Sequence, residues 1–238
     1  MFQRHSSVSR CAASLLLSTV IVGGALLQTV SAQEYAPPDR GLPGRREGGG
    51  TRGNCVRGAT PLVALIPDTN YGTTLEAYPT FYWSVPQMPP GGAEFVLLDA
   101  NDEEVYQAVL QLSGNPGIVS LAVPNDGSVP ALEPGKDYHW YFSLICDARD
   151  RSGDIFAEGW IQRINPPAGL VNQLTVAPEG DRPAILAGAG IWYDALTTLA
   201  TLRQAKPDDP QLTTKWTTLL RSVGLENLAS QPLVSNEN

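Results

Sequence analysis

The stretch Leu132–Cys146, with the sequence LEPGKDYHWYFSLIC, carries the clearest structural signal in the chain. Side chains two residues apart in a β-strand point to the same face of the sheet, and the second half of this stretch alternates in that way. One face carries the large apolar residues Tyr138, Trp140, Phe142, Leu144 and Cys146. We therefore predict a strand over Tyr138–Cys146 whose apolar face is turned toward the core, with His139 and Tyr141 on the opposite face.

The turn before this strand is typical of immunoglobulin-like domains. Glu133-Pro134-Gly135 is a turn signal, and fibronectin type III and immunoglobulin domains place a Tyr at the strand start that bonds back to the preceding corner. Six more short runs rich in aromatic and β-branched residues lie between Gly, Pro, Asn and Asp clusters, at 62–66, 80–85, 94–98, 105–112, 118–123 and 155–164. Seven short strands at this spacing predict an immunoglobulin- or fibronectin-III-like antiparallel β-sandwich over residues 55–165.

The rest of the chain has a helical period. Asn165-Pro166-Pro167 ends the strands, because proline gives up a hydrogen-bond donor of the ladder. Two sets of apolar residues then recur at helical spacing: Ile185, Ala189, Trp192, Leu196 and Leu199, and then Leu212, Trp216, Leu219, Leu220 and Val223. We predict a helical hairpin within residues 166–232, similar to one tetratricopeptide unit. A single unit of that kind cannot bury its own apolar face, so it must pack on the sandwich or on a partner. The predicted fold class is α+β.

The N-terminus predicts export. Arg4 and Arg10 precede an uncharged apolar run that ends at Val30-Ser31-Ala32, and this order is typical of a secretory signal peptide over residues 1–32. The predicted location is periplasmic or extracellular. Retention as a membrane anchor is the alternative, because the run approaches the roughly 20 residues that span a bilayer. After cleavage we expect no stable membrane span. Residues 33–54 are rich in Gly, Pro and Arg without any period, which predicts a flexible tail.

Composition excludes several classes of function. Removal of residues 1–32 leaves two cysteines and one histidine, too few for a multi-histidine or four-thiolate metal site. The net charge of −8 becomes still more negative, which disfavours nucleic-acid binding through phosphate neutralisation. The hydrophobic fraction of 42% is enough for a folded core. We expect no cofactor.

The remaining cysteines, Cys55 and Cys146, are an even pair in a chain predicted to be exported, so we predict a disulfide between them. A Cys146–His139 nucleophilic pair is disfavoured, because the two residues lie an odd number of positions apart on one strand and face opposite ways. A serine hydrolase is disfavoured as well, because the chain has no Gly-x-Ser-x-Gly motif and only His139 as a base.

Two groups of residues are weaker site candidates. Asp147, Asp150 and Asp154 could form a loop that holds calcium, although exposed turns explain them equally. Tyr141, His139 and Trp160 could form a binding surface, because the period of the strands does not assign them to the core.

Several motifs together resemble a known family. They are Arg52-Gly53-x-Cys55, the strand between Pro79 and Pro86, Tyr138-x-Trp140 leading to Cys146-Asp147, Gly159 to Arg163, Gly190-Ile191-Trp192-Tyr193-Asp194-Ala195-Leu196, and Trp216-x-x-Leu219-Leu220-x-x-Val223-Gly224-Leu225. The set is similar to an exported family found mainly in cyanobacteria, domain of unknown function number 928, over about residues 50–233. The resemblance implies export and one unit that spans strands and helices, and it brings no catalytic residues.

The favoured function is a non-catalytic binding or scaffold module of the periplasm or cell envelope. Its expected partner is another envelope or secreted protein, or a polysaccharide. Two alternatives stay open: a carboxylate-based hydrolase of envelope polysaccharide, which needs a cleft with two acids, and a calcium-stabilised adhesin. The fold-based part of this expectation is analogy.

Overall fold

The structure is a computed structural model that describes residues 1, 2, 34–49, 55, 56 and 60–234. Apart from its first two residues, the predicted signal peptide lies outside the described residues, so it stays a prediction.

In the described part of the chain, nine strands form one mostly antiparallel sheet. They are β1 (Arg45–Gly49), β2 (Val63–Ala64), β3 (Tyr71–Thr74), β4 (Thr80–Val85), β5 (Gly91–Leu98), β6 (Glu104–Leu112), β7 (Gly117–Ala122), β8 (Asp137–Leu144) and β9 (Ile155–Arg163). Their order is β6-β5-β8-β9-β1-β2-β4-β7, and β3 pairs with β9 in parallel. All seven predicted strands are present, whereas β1 and β3 were not predicted.

The alternation predicted for β8 is confirmed. Tyr138, Trp140, Phe142 and Leu144 are buried, and Cys146 is partly buried against the same core. The core is aromatic where β4 meets β8, because Trp83 stacks on Phe142 at 4.0 Å between ring centroids. The predicted tyrosine corner is confirmed as well: the backbone N–H of Glu133 donates to the Tyr138 hydroxyl at 3.0 Å.

The helical region differs in part from the prediction. The described residues form α1 (Leu170–Val176), α2 (Arg182–Gly188), α3 (Trp192–Ala205) and α4 (Pro210–Arg221). The first predicted helix is interrupted at Gly190, which has φ of +78°, a conformation that favours glycine. The last helix is confirmed, and the Asp209 side chain caps it by accepting from the Gln211 N–H at 2.8 Å. Thus the α+β class is established, and the immunoglobulin-like sandwich and the hairpin stay predictions.

The start of α3 docks on the sheet through two aromatic residues. The Trp192 indole N–H donates to the carbonyl oxygen of Leu65 at 2.8 Å. The Tyr193 hydroxyl accepts from the Trp140 indole N–H at 3.0 Å and donates to the Trp160 carbonyl at 3.2 Å. These buried polar groups have their hydrogen-bond partners across the contact, which fixes the position of the start of α3 against the sheet.

The flexible-tail prediction is wrong for residues 34–49. Tyr35 is only 7% exposed, and its ring meets Trp192 edge-on at 5.0 Å. Strand β1 pairs with both β9 and β2, and the Arg46 guanidinium donates to the Val223 carbonyl at 2.7 Å. The composition of this segment has no strand period, but the free edges of β9 and β2 supply hydrogen-bond partners that the segment can use.

Candidate functional site: an outer face and an acidic cleft

The three predicted binding residues come together on the side of the sheet that faces away from the core. His139 on β8 and Trp160 on β9 are directly paired, and their rings stack at 4.1 Å with planes 3° apart. The hydroxyl of Tyr141, the next outward residue of β8, lies 3.1 Å from His139 Nδ1. We name the set His139, Tyr141, Phe156, Glu158 and Trp160 the outer face.

Glu158 completes this arrangement and was not predicted. It is paired directly opposite Tyr141, and its Oε2 lies 3.2 Å from His139 Nε2. Strand alternation could have predicted Glu158, because this residue stands two positions before Trp160 on β9 and therefore lies on the same face.

Two titratable side chains of the outer face, His139 and Tyr141, are held in their neutral forms. Burial lowers the pKa of His139, and the charge of Glu158 opposes that effect only in part. The imidazole is therefore neutral near pH 7, with one nitrogen that donates and one that accepts. Burial, together with the charge of Glu158, raises the pKa of Tyr141, so its hydroxyl stays protonated.

The segment before β1 forms one border of the outer face. The Trp160 indole N–H donates to the Pro43 carbonyl at 2.8 Å, and the Arg45 guanidinium lies 5.2 Å from the Phe156 ring centroid. Aromatic rings with polar tips can stack on an apolar ligand surface and hydrogen-bond its polar groups.

The predicted disulfide is confirmed: Cys55 and Cys146 are bonded, with their Cα atoms 5.2 Å apart. The bond occupies the thiol that a Cys146–His139 nucleophilic pair requires.

The structure does not bring the three aspartates of the predicted calcium loop together. The Asp154 carboxylate accepts from the Cys146 N–H at 2.9 Å and pairs with Arg151. Asp147 and Asp150 each accept from a backbone N–H two residues further on. Among the residues that the structure describes, no three His, Cys, Asp or Glu side chains are grouped to hold a metal ion. The calcium-stabilised adhesin stays a prediction.

A separate cleft of about 240 Å³ lies where β3 and β4 meet α3. Its lining includes Glu76, Tyr78 and four threonines, which are Thr74, Thr80, Thr197 and Thr198. Asp194 reaches this cleft from the first turn of α3 and is only 8% exposed.

Asp194 is held by two donors. The Thr74 hydroxyl donates to its Oδ2 at 2.6 Å, and the Leu75 N–H donates to its Oδ1 at 3.1 Å. Burial nevertheless raises the pKa of Asp194 to about 6. Sequence reasoning did not single out this residue, although a lone acid inside the apolar run from Ile191 to Leu196 is the signal that marks it.

The comparison with family models places the chain. The model described as Domain of Unknown Function (DUF928) matches residues 47–233. That range covers most of the chain, so the chain belongs to this family, as the resemblance of its motifs predicts. A comparison with curated proteins found no match. As for membrane spans, the helices of the described residues are all too short or too polar to qualify.

Proposed function

We propose that this chain is an exported, non-catalytic binding module of the periplasm or cell envelope, and that its outer face binds envelope polysaccharide. The observation that supports this most is the contiguous row of Tyr141, His139 and Trp160 beside Glu158. Tyr141 and Trp160 are only half-buried, although both carry large apolar rings.

The chemistry of the row fits a sugar chain. An aromatic ring can cover the apolar face of a sugar, and the Tyr141 hydroxyl and the Glu158 carboxyl group offer hydrogen-bonding groups for its hydroxyls, while the buried His139 holds the Tyr141 hydroxyl in place. An envelope or secreted protein is the other partner class, and a test with purified polysaccharide separates the two.

Export is supported by the N-terminal pattern and by the Cys55–Cys146 bond, since disulfides persist in oxidising compartments. Mass spectrometry of the protein recovered from its host tests this directly. We expect a mature N-terminus at Gln33, and a recovered chain that still begins at Met1 would remove the cleavage proposal.

Affinity electrophoresis in gels that contain polysaccharide purified from the host envelope tests the binding. We expect retardation of the wild-type protein and its loss in Tyr141→Ala, because this substitution removes a ring and a hydroxyl from the outer face. Tyr78→Ala is the matched control, because Tyr78 is also half-buried but lines the cleft. Equal migration of wild-type protein with and without polysaccharide would refute the proposal. Loss of retardation only in Tyr78→Ala would move the binding site to the cleft.

The cleft favours a second candidate, a carboxylate-based hydrolase of the same polysaccharide. The cleft holds a buried acid and an exposed one, Asp194 and Glu76, and a carboxyl with a pKa of about 6 can act as a general acid near neutral pH. Release of reducing ends tests it. This candidate predicts release by the wild-type protein, loss in Asp194→Asn and in Glu76→Gln, and retention in Glu226→Gln, an exposed acid elsewhere. No release by the wild-type protein would exclude it.

A further inference from the structure

The two edge strands of the sheet, β7 and β6, differ in whether another segment covers their outer edge. At one end, the outer edge of β7 is covered by the C-terminal segment: the Ile118 N–H donates to the Pro232 carbonyl at 2.8 Å, and the Val234 N–H donates to the Ile118 carbonyl at 2.9 Å. The other end is β6, which pairs with β5 along its inner edge. Within the described chain, no strand or loop pairs with the outer edge of β6.

Strand β6 carries the usual protection of an edge only at its start, where Glu104 is charged and the pairing with β5 is irregular at Val105. Natural edge strands are commonly short or carry a charge, a proline or a bulge, and these devices prevent pairing with another chain. The other seven of its nine residues, Tyr106 to Leu112, pair regularly with β5 and contain no charge, proline or glycine. Val109 in its middle is 57% exposed. A regular run of seven uncharged residues with open hydrogen-bonding groups can accept another strand.

We propose that the occupant of this edge is β6 of a second copy, in antiparallel orientation about a two-fold axis. The charges favour this partner and this direction. Glu103 and Glu104 stand at one end of the strand, and the uncharged residues Ser113 and Gly114 follow the other. Antiparallel pairing places the acidic end of each copy opposite the neutral end of the other, whereas parallel pairing in register places like charges side by side.

The consequence is a sheet that continues from one copy into the other. Because β6 and β5 lie beside β8 and β9, the outer faces of both copies then belong to one surface. The dimer does not depend on the ligand of the outer face. If that face binds a polymer, two copies bind it with higher avidity.

Sedimentation and light scattering over a range of concentrations, with the full chain processed by its host, test the dimer. We expect a dimer for the wild-type protein. Val109→Lys raises the dissociation constant of the dimer by roughly tenfold or more, because two like charges enter one interface. Val176→Lys is the matched control, since Val176 is 84% exposed on α1, away from the sheet edge.

Gln107→Lys is a second edge variant, which is compared with Val109→Lys after circular dichroism has verified the fold of each. A wild-type monomer at every concentration up to the solubility limit would overturn the proposal. A dimer that persists unchanged in both lysine variants would overturn it as well, because its interface would then lie elsewhere.

Discussion

The Cys55–Cys146 disulfide provides the stability prediction with the best-defined magnitude. The bond closes a loop with a sequence separation of 91 residues, from the segment after β1 to the segment after β8. Cross-linking lowers the entropy of the unfolded chain, and for a loop of this length the chain-entropy model gives about 4.6 kcal/mol at 25 °C. Replacing both residues, Cys55→Ser with Cys146→Ser, removes that contribution.

The expected loss in the free energy of unfolding is about 3 to 5 kcal/mol, close to the chain-entropy value. No large further loss is expected, because the other contacts at this position persist. The Cys146 N–H still donates to the Asp154 carboxylate, and that bond needs only the backbone. Urea unfolding followed by tryptophan fluorescence measures the difference, since four of the five tryptophans are at most 1% exposed.

Wild-type protein in a reducing buffer is the control, because it lacks the cross-link and keeps both cysteines. It should match the double variant in midpoint and slope. A double variant within about 1 kcal/mol of the oxidised wild type would refute the reasoning, because the unfolded state would then gain little freedom when the bond is lost.

Two other substitutions test the account of the helices. Because burial raises the pKa of Asp194 from 3.8 to about 6, the folded state binds the proton more tightly than the unfolded state. Wild-type stability should therefore fall by about 3 kcal/mol as pH rises between these two values, and in Asp194→Asn the fall should disappear from urea unfolding across this pH range. Gly190→Ala should lower the melting temperature more than Gly127→Ala, since both glycines have positive φ but a Cβ at Gly190 would lie 2.8 Å from the Ala36 carbonyl oxygen and one at Gly127 meets nothing within 4 Å. An equal fall in melting temperature for both variants would show that the loss of stability comes from backbone strain and not from the contact with the N-terminal segment.

The strands that the sequence predicts are those with one buried face, because burial restricts the residues on that face to apolar ones. Strand β8 has one face in an aromatic core, so its alternation is visible without any partner, and β4 is found with its observed bounds. Strands β1 and β3 lack such a signal. Their sequences, RREGG and YGTT, contain few apolar residues, and the strands exist because β9 offers its edge to both. A pairing partner distant in sequence cannot be read from a short local pattern.

The boundary between α2 and α3, and the residues of the outer face and the cleft, were also hard to predict from a local pattern. Apolar residues keep their helical spacing across Gly190, so the pattern predicts one helix where the chain turns between α2 and α3. Tyr141, His139 and Trp160 were candidates because they did not fit the core. Glu158 and Asp194 each had a local signal, but their roles depend on a neighbour on another element, His139 for the first and Thr74 for the second, which the sequence does not show.

The most direct test of the binding proposal is an NMR titration that follows the five tryptophan indole N–H groups while envelope polysaccharide is added. Trp83, Trp140, Trp192 and Trp216 are buried in the core, whereas Trp160 is partly exposed on the outer face. We predict a saturable shift of the Trp160 resonance, assigned by its absence in Trp160→Phe, with the other four nearly unchanged. Binding of the polysaccharide that leaves the Trp160 resonance unmoved would contradict the proposal that the outer face is the binding site.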